Sequence, residues 1–486
     1  QQSVKDRAET IYVGANDGML HSFDANTGVE NFGFIPSAVM ENLNELTSPE
    51  YEGSSGVHQY FVDGTPVVAD VYFDSAWHTV LVGSLGGGGR EVFALDVTNP
   101  NAPKLLWEFT NFVDGDLGFS VPTPKIARLH NGKWAALVSN GYNGDRAAQG
   151  KAVLFALDIA TGAVMKKFEV TSGADGAINS GSNGLSNVQP ADINGDGVAD
   201  YAYAGDLQGN LWRFDLIDTS TAAPFSKNVV NASSFKVSYG GTPLFVAKDS
   251  GGTRQPITAA PSLVKHPTSF GYLVTLGTGA YLNSADKAST AVQSVYGIWD
   301  RKTSGENTAT VSPAVARSAL TQQTMLLQQA FSAGGVSRII RTVSDNEIVW
   351  YNSPSAGTAD ANVNKWGWYL DLGVTGATAD GERVIDDMQV YGDGLLFSSV
   401  TPNSDPCAAG LTGFTYGINP RTGGRTTYNV FDFNGDGTFT MSDALNGNTV
   451  ISGYSTPAGG NAVSAGQQYY TDGTSMGIAA GLLSSG

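Results

Sequence analysis

Ile11-Tyr12-Val13-Gly14-Ala15-Asn16-Asp17-Gly18-Met19-Leu20-His21-Ser22-Phe23-Asp24, closed by Ala25-Asn26-Thr27-Gly28, is the stretch that decides the fold. It reads as an apolar strand, a tight turn, a second apolar strand ending in Asp, and a further turn. Asn16-Asp17-Gly18 supplies residues that tolerate positive φ, as a hairpin turn requires, and Val13, Leu20 and Phe23 supply apolar positions on either side. The pattern recurs loosely. Thr79–Asp96 ends in Val92-Phe93-Ala94-Leu95-Asp96, Trp134–Gly162 contains Leu154-Phe155-Ala156-Leu157-Asp158, Tyr201–Asp215 ends in Leu211-Trp212-Arg213-Phe214-Asp215, and Gly271–Asp300 ends in Tyr296-Gly297-Ile298-Trp299-Asp300. Weaker copies lie at Trp366–Asp371 and Val390–Gly423. About seven such units at irregular intervals, longer than regular propeller repeats, predict an all-β chain, a ring of four-stranded propeller blades with the excess length in loops. Helical periodicity is confined to Ala314–Ala333, which is expected to be helical or an insertion on a blade.

Composition agrees. The chain has 486 residues, 61 of them glycine, with 41% hydrophobic and only 15% charged residues, which suits many turns and a buried core. Residues 1–486 are expected to form one propeller domain cut from a longer protein, because the polar start Gln1-Gln2-Ser3-Val4-Lys5-Asp6-Arg7 carries neither an initiating Met nor a signal peptide. The Gly/Ser/Ala-rich tail 453–486, with Thr474–Ala480 as a strand, is expected to complete the first blade and close the ring. A net charge of −18, from 27 basic against 45 acidic residues, disfavours nucleic acid and anionic lipid as partners. No apolar run approaches the about 18–20 residues that span a bilayer. Cys407 is the only cysteine, so internal disulfides and multi-thiolate metal sites are excluded.

The acidic excess has one sharply grouped portion. In Asp192-Ile193-Asn194-Gly195-Asp196-Gly197-Val198-Ala199-Asp200, oxygen-bearing side chains occupy positions 1, 3, 5 and 9, and Gly197 sits at position 6. That spacing matches the front of a calcium loop: Asp192, Asn194, Asp196 and Asp200 offer side-chain oxygens and Val198 a backbone carbonyl. Tyr203 stands at position 12, so this is a compact loop between strands rather than an EF-hand. A second candidate, Asp432-Phe433-Asn434-Gly435-Asp436-Gly437-Thr438-Phe439-Thr440-Met441-Ser442-Asp443, repeats positions 1, 3, 5 and 6. Here Asp432, Asn434, Asp436, the Thr438 carbonyl, Thr440 and Asp443 would be the ligands, in the manner of a dockerin-type loop. Ca2+ is the only cofactor expected. An ion-free Asp/Asn/Gly turn is the competing reading at each loop.

Other features read as structural. Asp114-Gly115-Asp116 and Asn140–Asp145 suit turns, and Gly86-Gly87-Gly88-Gly89 opens no helix that would cradle a phosphate. His21, His58, His78, His130 and His266 show no metal-ligand spacing, and no nucleophile elbow or carboxylate dyad marks an enzyme.

Several stretches resemble the C-terminal domain of the PilC/PilY type IV pilus biogenesis proteins: Gly14–His21, Phe61-Val62-Asp63-Gly64-Thr65-Pro66, Val82–Arg90, Ser139–Asn143, Ala191–Asp215, Gly277-Thr278-Gly279 and Gly367-Trp368-Tyr369-Leu370. The resemblance implies a calcium-binding, non-enzymatic, modified seven-bladed propeller exposed at the surface or pilus tip of a Gram-negative bacterium, exported across the outer membrane. It implies a role in pilus extension against retraction, twitching motility, surface attachment and host-cell contact, with minor pilins and the pilus machinery as partners. The family's calcium loop maps onto Asp192, Asn194, Asp196, Val198 and Asp200, whereas the loop at Asp432–Asp443 rests on spacing alone. As a fragment the chain is expected to be monomeric, and the family's usual N-terminal region, often with a von Willebrand A-like module, is not in it. Two alternatives are a quinoprotein dehydrogenase, whose propellers have similar hairpins but often stack the quinone on a disulfide that one cysteine cannot form, and a carbohydrate-binding propeller using the plentiful Trp and Tyr.

Overall fold

A computed structural model describes residues 8–49, 51, 59–144, 151–170, 182–226, 230–309, 315–334, 336–351, 364–402, 412–455, 467–471 and 476–480. Cys407, His58, Asp145 and most of the expected ring-closing tail lie outside them.

The repeat read from the sequence becomes antiparallel sheet. The first sheet holds β1 (Thr10–Gly14), β2 (Leu20–Asp24) and β3 (Glu30–Phe34). The second runs β4 (Val67–Phe73), β5 (Ala76–Ser84), β6 (Glu91–Asp96), β7 (Lys104–Thr110), and the third β8 (Lys125–Arg128), β9 (Trp134–Ser139), β10 (Ala152–Asp158), β11 (Val164–Val170). The fourth has the order β12 (Leu185–Ala191), β13 (Tyr201–Asp206), β14 (Asn210–Asp215), β15 (Lys236–Val237), with β16 (Phe245–Val246) also on β14. In the fifth, β17 (Ser262–Lys265), β18 (Tyr272–Gly277) and β19 (Ser294–Asp300) continue into β23 (Gly367–Asp371), which pairs parallel with β20 (Thr321–Gln323). The sixth has the order β21 (Met325–Ala333), β22 (Val336–Val343), β27 (Gly453–Ser455), β26 (Phe414–Ile418), β25 (Gly394–Ser398), β24 (Gln389–Tyr391). A ribbon of β28 (Gln467–Thr471) and β29 (Met476–Ala480) completes the described strands.

The Asp that closes four of these repeats has a shared local task, whereas Asp215 instead accepts from the Arg213 guanidinium and the Ser238 hydroxyl. Asp24, Asp96, Asp158 and Asp300 each accept, through Oδ1, the backbone N–H two residues on, from Asn26 (3.0 Å), Thr98 (3.0 Å), Ala160 (3.0 Å) and Lys302 (3.1 Å). The strand therefore ends in an Asx turn, which gives the backbone a partner other than the ladder. Alternation then lets one sheet serve two cores. On β5 and β6, Val80, Val82, Val92 and Ala94 pack with Ala136, Val138, Val153 and Phe155 of the third sheet, while Leu81, Phe93 and Leu95 pack with Leu20, Val39 and Phe61. Period-two patterning with both faces apolar is what stacked sheets require.

Two expectations change. Residues 315–333 carry no α-helix: a 3-10 turn at Arg317–Ala319 leads into β20 and β21. Helical periodicity loses to pairing with the β-branched strand β22, in register Gln328↔Arg341 and Ala330↔Ile339. Trp366–Asp371 is not a sheet of its own, because β23 fills a place beside β19 in register Gly297↔Trp368. Among the described residues the α-helical content is one five-residue segment, Ser284–Ala288, and no helix is long and apolar enough to cross a membrane. The glycine cluster is explained by crowding, since a Cβ on Gly88 would collide with the Phe61 carbonyl. By contact the chain divides into two units, one of 1–203, 213–241 and 474–476, the other of 204–212, 242–473 and 477–486.

Candidate metal centre

The first loop lies in the first unit, between β12 and β13. Its chain is wound by its own carboxylates. Asp192 Oδ1 accepts the N–H groups of Gly195 (2.7 Å) and Asp196 (3.1 Å), and Oδ2 accepts that of Gly197 (2.7 Å). Asn194 Oδ1 accepts from Asp196 N (2.9 Å) and Asp196 Oδ1 from Val198 N (2.9 Å). Such winding requires φ of +77° at Gly195 and +82° at Gly197, the left-handed region that disfavours side chains. Asp200 closes the loop by accepting Ile193 N at Oδ2 (2.7 Å).

The second loop, in the second unit, follows the same scheme. Asp432 accepts from Gly435 N (2.7 Å) and Gly437 N (2.8 Å), Asn434 from Asp436 N (2.9 Å), and Asp436 from Thr438 N (2.8 Å). Gly435 and Gly437 have φ of +73° and +78°. The closing acid is Asp443, three positions later than in the first loop, yet it bonds the equivalent N–H, that of Phe433 (2.9 Å), together with Asn434 N (3.2 Å) and Thr440 N (3.1 Å). Thr440, expected as a ligand, is also the N-cap of a short 3-10 turn, Met441–Asp443, and its hydroxyl accepts from Ser442 N (3.3 Å). The Asp436 carboxyl is held below the usual carboxylate range, first by the Thr438 hydroxyl and then by its N–H.

Asp192, Asn194, Asp196 and Val198 are thus brought into one turn of chain, as are Asp432, Asn434, Asp436 and Thr438. Among the described residues no three carboxylate, imidazole or thiol groups form a ready-made cage. The donor chemistry nonetheless fits calcium. Hard oxygens dominate, each carboxylate oxygen has two lone-pair directions, and carboxylate winding onto loop N–H groups leaves the remaining lone pairs for an ion. Val198 and Asp200 are buried, whereas Asp192 and Asn194 are exposed.

Sequence reasoning missed His130. Its Nε2 lies 2.8 Å from Asp200 Oδ1, with both side chains fully buried, and its Nδ1 faces the Ser226 carbonyl at 3.1 Å. Burial pulls the imidazole pKa down, but the Asp200 and Ser226 hydrogen bonds and the charges of Asp200 and Asp196 outweigh it and leave the pKa above its ordinary value. A partner seventy residues away leaves no spacing signal. The weaker candidates are structural. Asp114 and Asp116 hold Lys167 (2.8 and 2.6 Å), and Asn140 Oδ1 accepts buried N–H groups of Val153 (3.0 Å) and Leu185 (2.8 Å).

Residues 1–333 match the model of the PilY1 β-propeller domain. The type IV pilus biogenesis factor PilY1 of Pseudomonas aeruginosa strain UCBPP-PA14 is 49% identical over 473 residues, 95% of this chain and 40% of that protein. A PilY1 homolog of Xylella fastidiosa is 39% identical over 427 residues, 86% of this chain and 26% of its own length. The chain therefore spans two fifths or less of these relatives. The crystal structure of the Pseudomonas aeruginosa PilY1 C-terminal domain superimposes with a TM-score of 0.80 at 45% identity, covering 98% of this chain and 92% of that one. The all-β propeller expected from the sequence is thereby established, and the chain belongs to the PilY1 β-propeller domain family.

Proposed function

We propose that this domain is a non-enzymatic, calcium-binding, modified seven-bladed propeller that supports type IV pilus biogenesis at the bacterial surface, where its ion-held loops present strand edges to the pilus machinery. The observation that carries this reading is the repetition of one bonding scheme in two loops of unrelated position, with closing acids at different spacing bonding the same N–H. Bound calcium would supply the positive centre that offsets the clustered carboxylates. Asp192 and Asp432 wind the chain, the positive-φ glycines permit the turn, and Asp200 and Asp443 tie its end to its beginning. Relatives named as pilus biogenesis factors support placing the domain with the pilus machinery. Minor pilins as direct partners, exposure at the pilus tip, control of extension against retraction, twitching and host-cell attachment all belong to this reading, as does closure of the ring by residues 453–486.

The test is Asp196→Asn in the full-length parent protein in its own cell. The calcium concentration that supports surface pili and twitching should rise about tenfold. Pili whose response to calcium is identical with and without the substitution would refute the regulatory role.

A further inference from the structure

A second, chemically different feature lies in the second unit, away in sequence from both loops. Strand β19 ends in Trp299-Asp300, and Arg301 follows at once. Trp299 N donates to the Trp366 carbonyl (2.9 Å), and Tyr351 N to the Lys365 carbonyl (3.0 Å), which laces three separate pieces of chain together. Tyr351 and Trp366 then stack with ring centroids 4.9 Å apart and planes 18° from parallel. The Arg301 guanidinium sits 4.9 Å from the Trp366 centroid, 5.0 Å from Tyr351 and 5.3 Å from Trp299. All three distances are in cation–π range.

His266, only 6% exposed, stacks on Trp299 with ring centroids 4.0 Å apart. Its Nδ1 accepts the N–H groups of Thr268 (3.2 Å) and Ser269 (2.9 Å), and burial pushes its pKa down to about 4, so the ring adds no second cation. Beside it Phe270, whose carbonyl accepts Trp299 Nε1 (2.8 Å), leaves its own ring 86% exposed. Trp350, Tyr351 and Trp366 are half-buried.

Arg301 contrasts with other arginines of this unit. Arg317 forks onto Asp371 (2.6 and 2.7 Å), Arg341 bonds Glu382, Arg421 bonds Asp393 (2.6 Å), and Arg383 donates to the carbonyls of Ala280, Asp286 and Ser289. Among the described residues the Arg301 guanidinium has no hydrogen-bond acceptor and no carboxylate, although the chain holds 45 acidic against 27 basic residues. Cation–π contacts orient a guanidinium through its face and leave its planar N–H fork to match a carboxylate.

We propose that Arg301, walled by Trp299, Tyr351 and Trp366, is a binding site for a carboxylated sugar, a uronate or sialate residue. The guanidinium would pair the carboxylate, and the half-exposed rings of Tyr351 and Trp366, with Phe270, would cover the apolar C–H face of the pyranose, while Trp299, 4% exposed, backs the guanidinium from within. Flat amphipathic rings suit a ligand that is apolar on its faces and polar at its edge. A net charge of −18 repels dense polyanions and leaves a single isolated carboxylate as the anion this site tolerates.

The site is independent of the calcium loops, and the test keeps the two apart by running with calcium and with chelator. The 486-residue chain is titrated with 3′-sialyllactose against lactose, and with methyl glucuronide against its methyl ester, followed by calorimetry and tryptophan fluorescence. At least tenfold tighter binding of one acid than of its neutral counterpart is expected, and the acid that binds identifies the sugar. Arg301→Gln should abolish that preference with melting temperature unchanged, and Arg301→Lys should recover it only in part. Equal binding of acid and neutral sugars, no binding of either acid, or a preference that survives Arg301→Gln would each overturn the proposal.

Discussion

Asp196→Asn separates what the first loop needs to fold from what it needs to hold an ion. Asp196 Oδ1 accepts Val198 N at 2.9 Å, and an amide oxygen in the same place keeps that bond. Its own N–H continues to donate to Asp192 and Asn194. The calcium-free loop should therefore lose only the difference between a charged and a neutral acceptor, about 1 kcal/mol or less. Calcium at a hundredfold excess over its dissociation constant adds about 2.7 kcal/mol, which slows exchange through local opening about a hundredfold. Hydrogen exchange of the Gly195, Asp196 and Gly197 amides reads this directly, because all three donate to Asp192. Removing one of the clustered carboxylate charges is expected to weaken affinity about tenfold, leaving about tenfold slowing at the same calcium concentration. Wild-type amides indifferent to calcium, or a variant slowed as much as wild type, would refute the reasoning.

Other consequences are as direct. Gly197→Ala and Gly437→Ala meet no neighbouring atom, so each should cost only the left-handed backbone, about 1–2 kcal/mol, read in calcium-free thermal melts; no shift would argue against the loop conformation. Glu91 is buried and accepts Ala38 N at 2.7 Å, and burial, with Glu108 beside it, pushes its pKa up to about 8. Its folded pKa exceeds its unfolded one, so the stability it contributes is complete below about pH 4.5 and is lost as pH rises through 8. Glu91→Gln should flatten that decline, with wild type and variant compared by denaturant titration at pH 5 and pH 8; parallel curves would count against the buried acid. His266 has the opposite slope. Its pKa near 4 lies below the unfolded 6.5, so stability should fall as pH drops between those values, by on the order of 3 kcal/mol, and His266→Gln should remove that dependence.

Much of this was legible because it is local. A strand-ending Asp that turns the chain two residues later, and glycines at positions 4 and 6 of an acidic loop, are short-range chemistry written in consecutive residues. Pairing across long intervals is not. Nothing near His130 announces Asp200, and nothing in Ala314–Ala333 announces that β22 waits across a Gly334 turn. The grouping of Trp299, Tyr351 and Trp366 around Arg301 likewise depends on the backbone bonds from Trp299 to Trp366 and from Tyr351 to Lys365, which no local pattern announces. Even within the loops, the two closing acids fall at positions 9 and 12 and reach the same N–H, an equivalence that spacing alone hides.

Calorimetric titration of calcium into chelator-stripped protein, with Asp196→Asn and Asp436→Asn alongside, tests the central claim most directly. Two binding events in wild type, with each variant weakening a different one about tenfold, is the predicted result. Weakening only in Asp196→Asn would reduce the second loop to a turn, and wild-type protein that takes up no calcium would contradict the account.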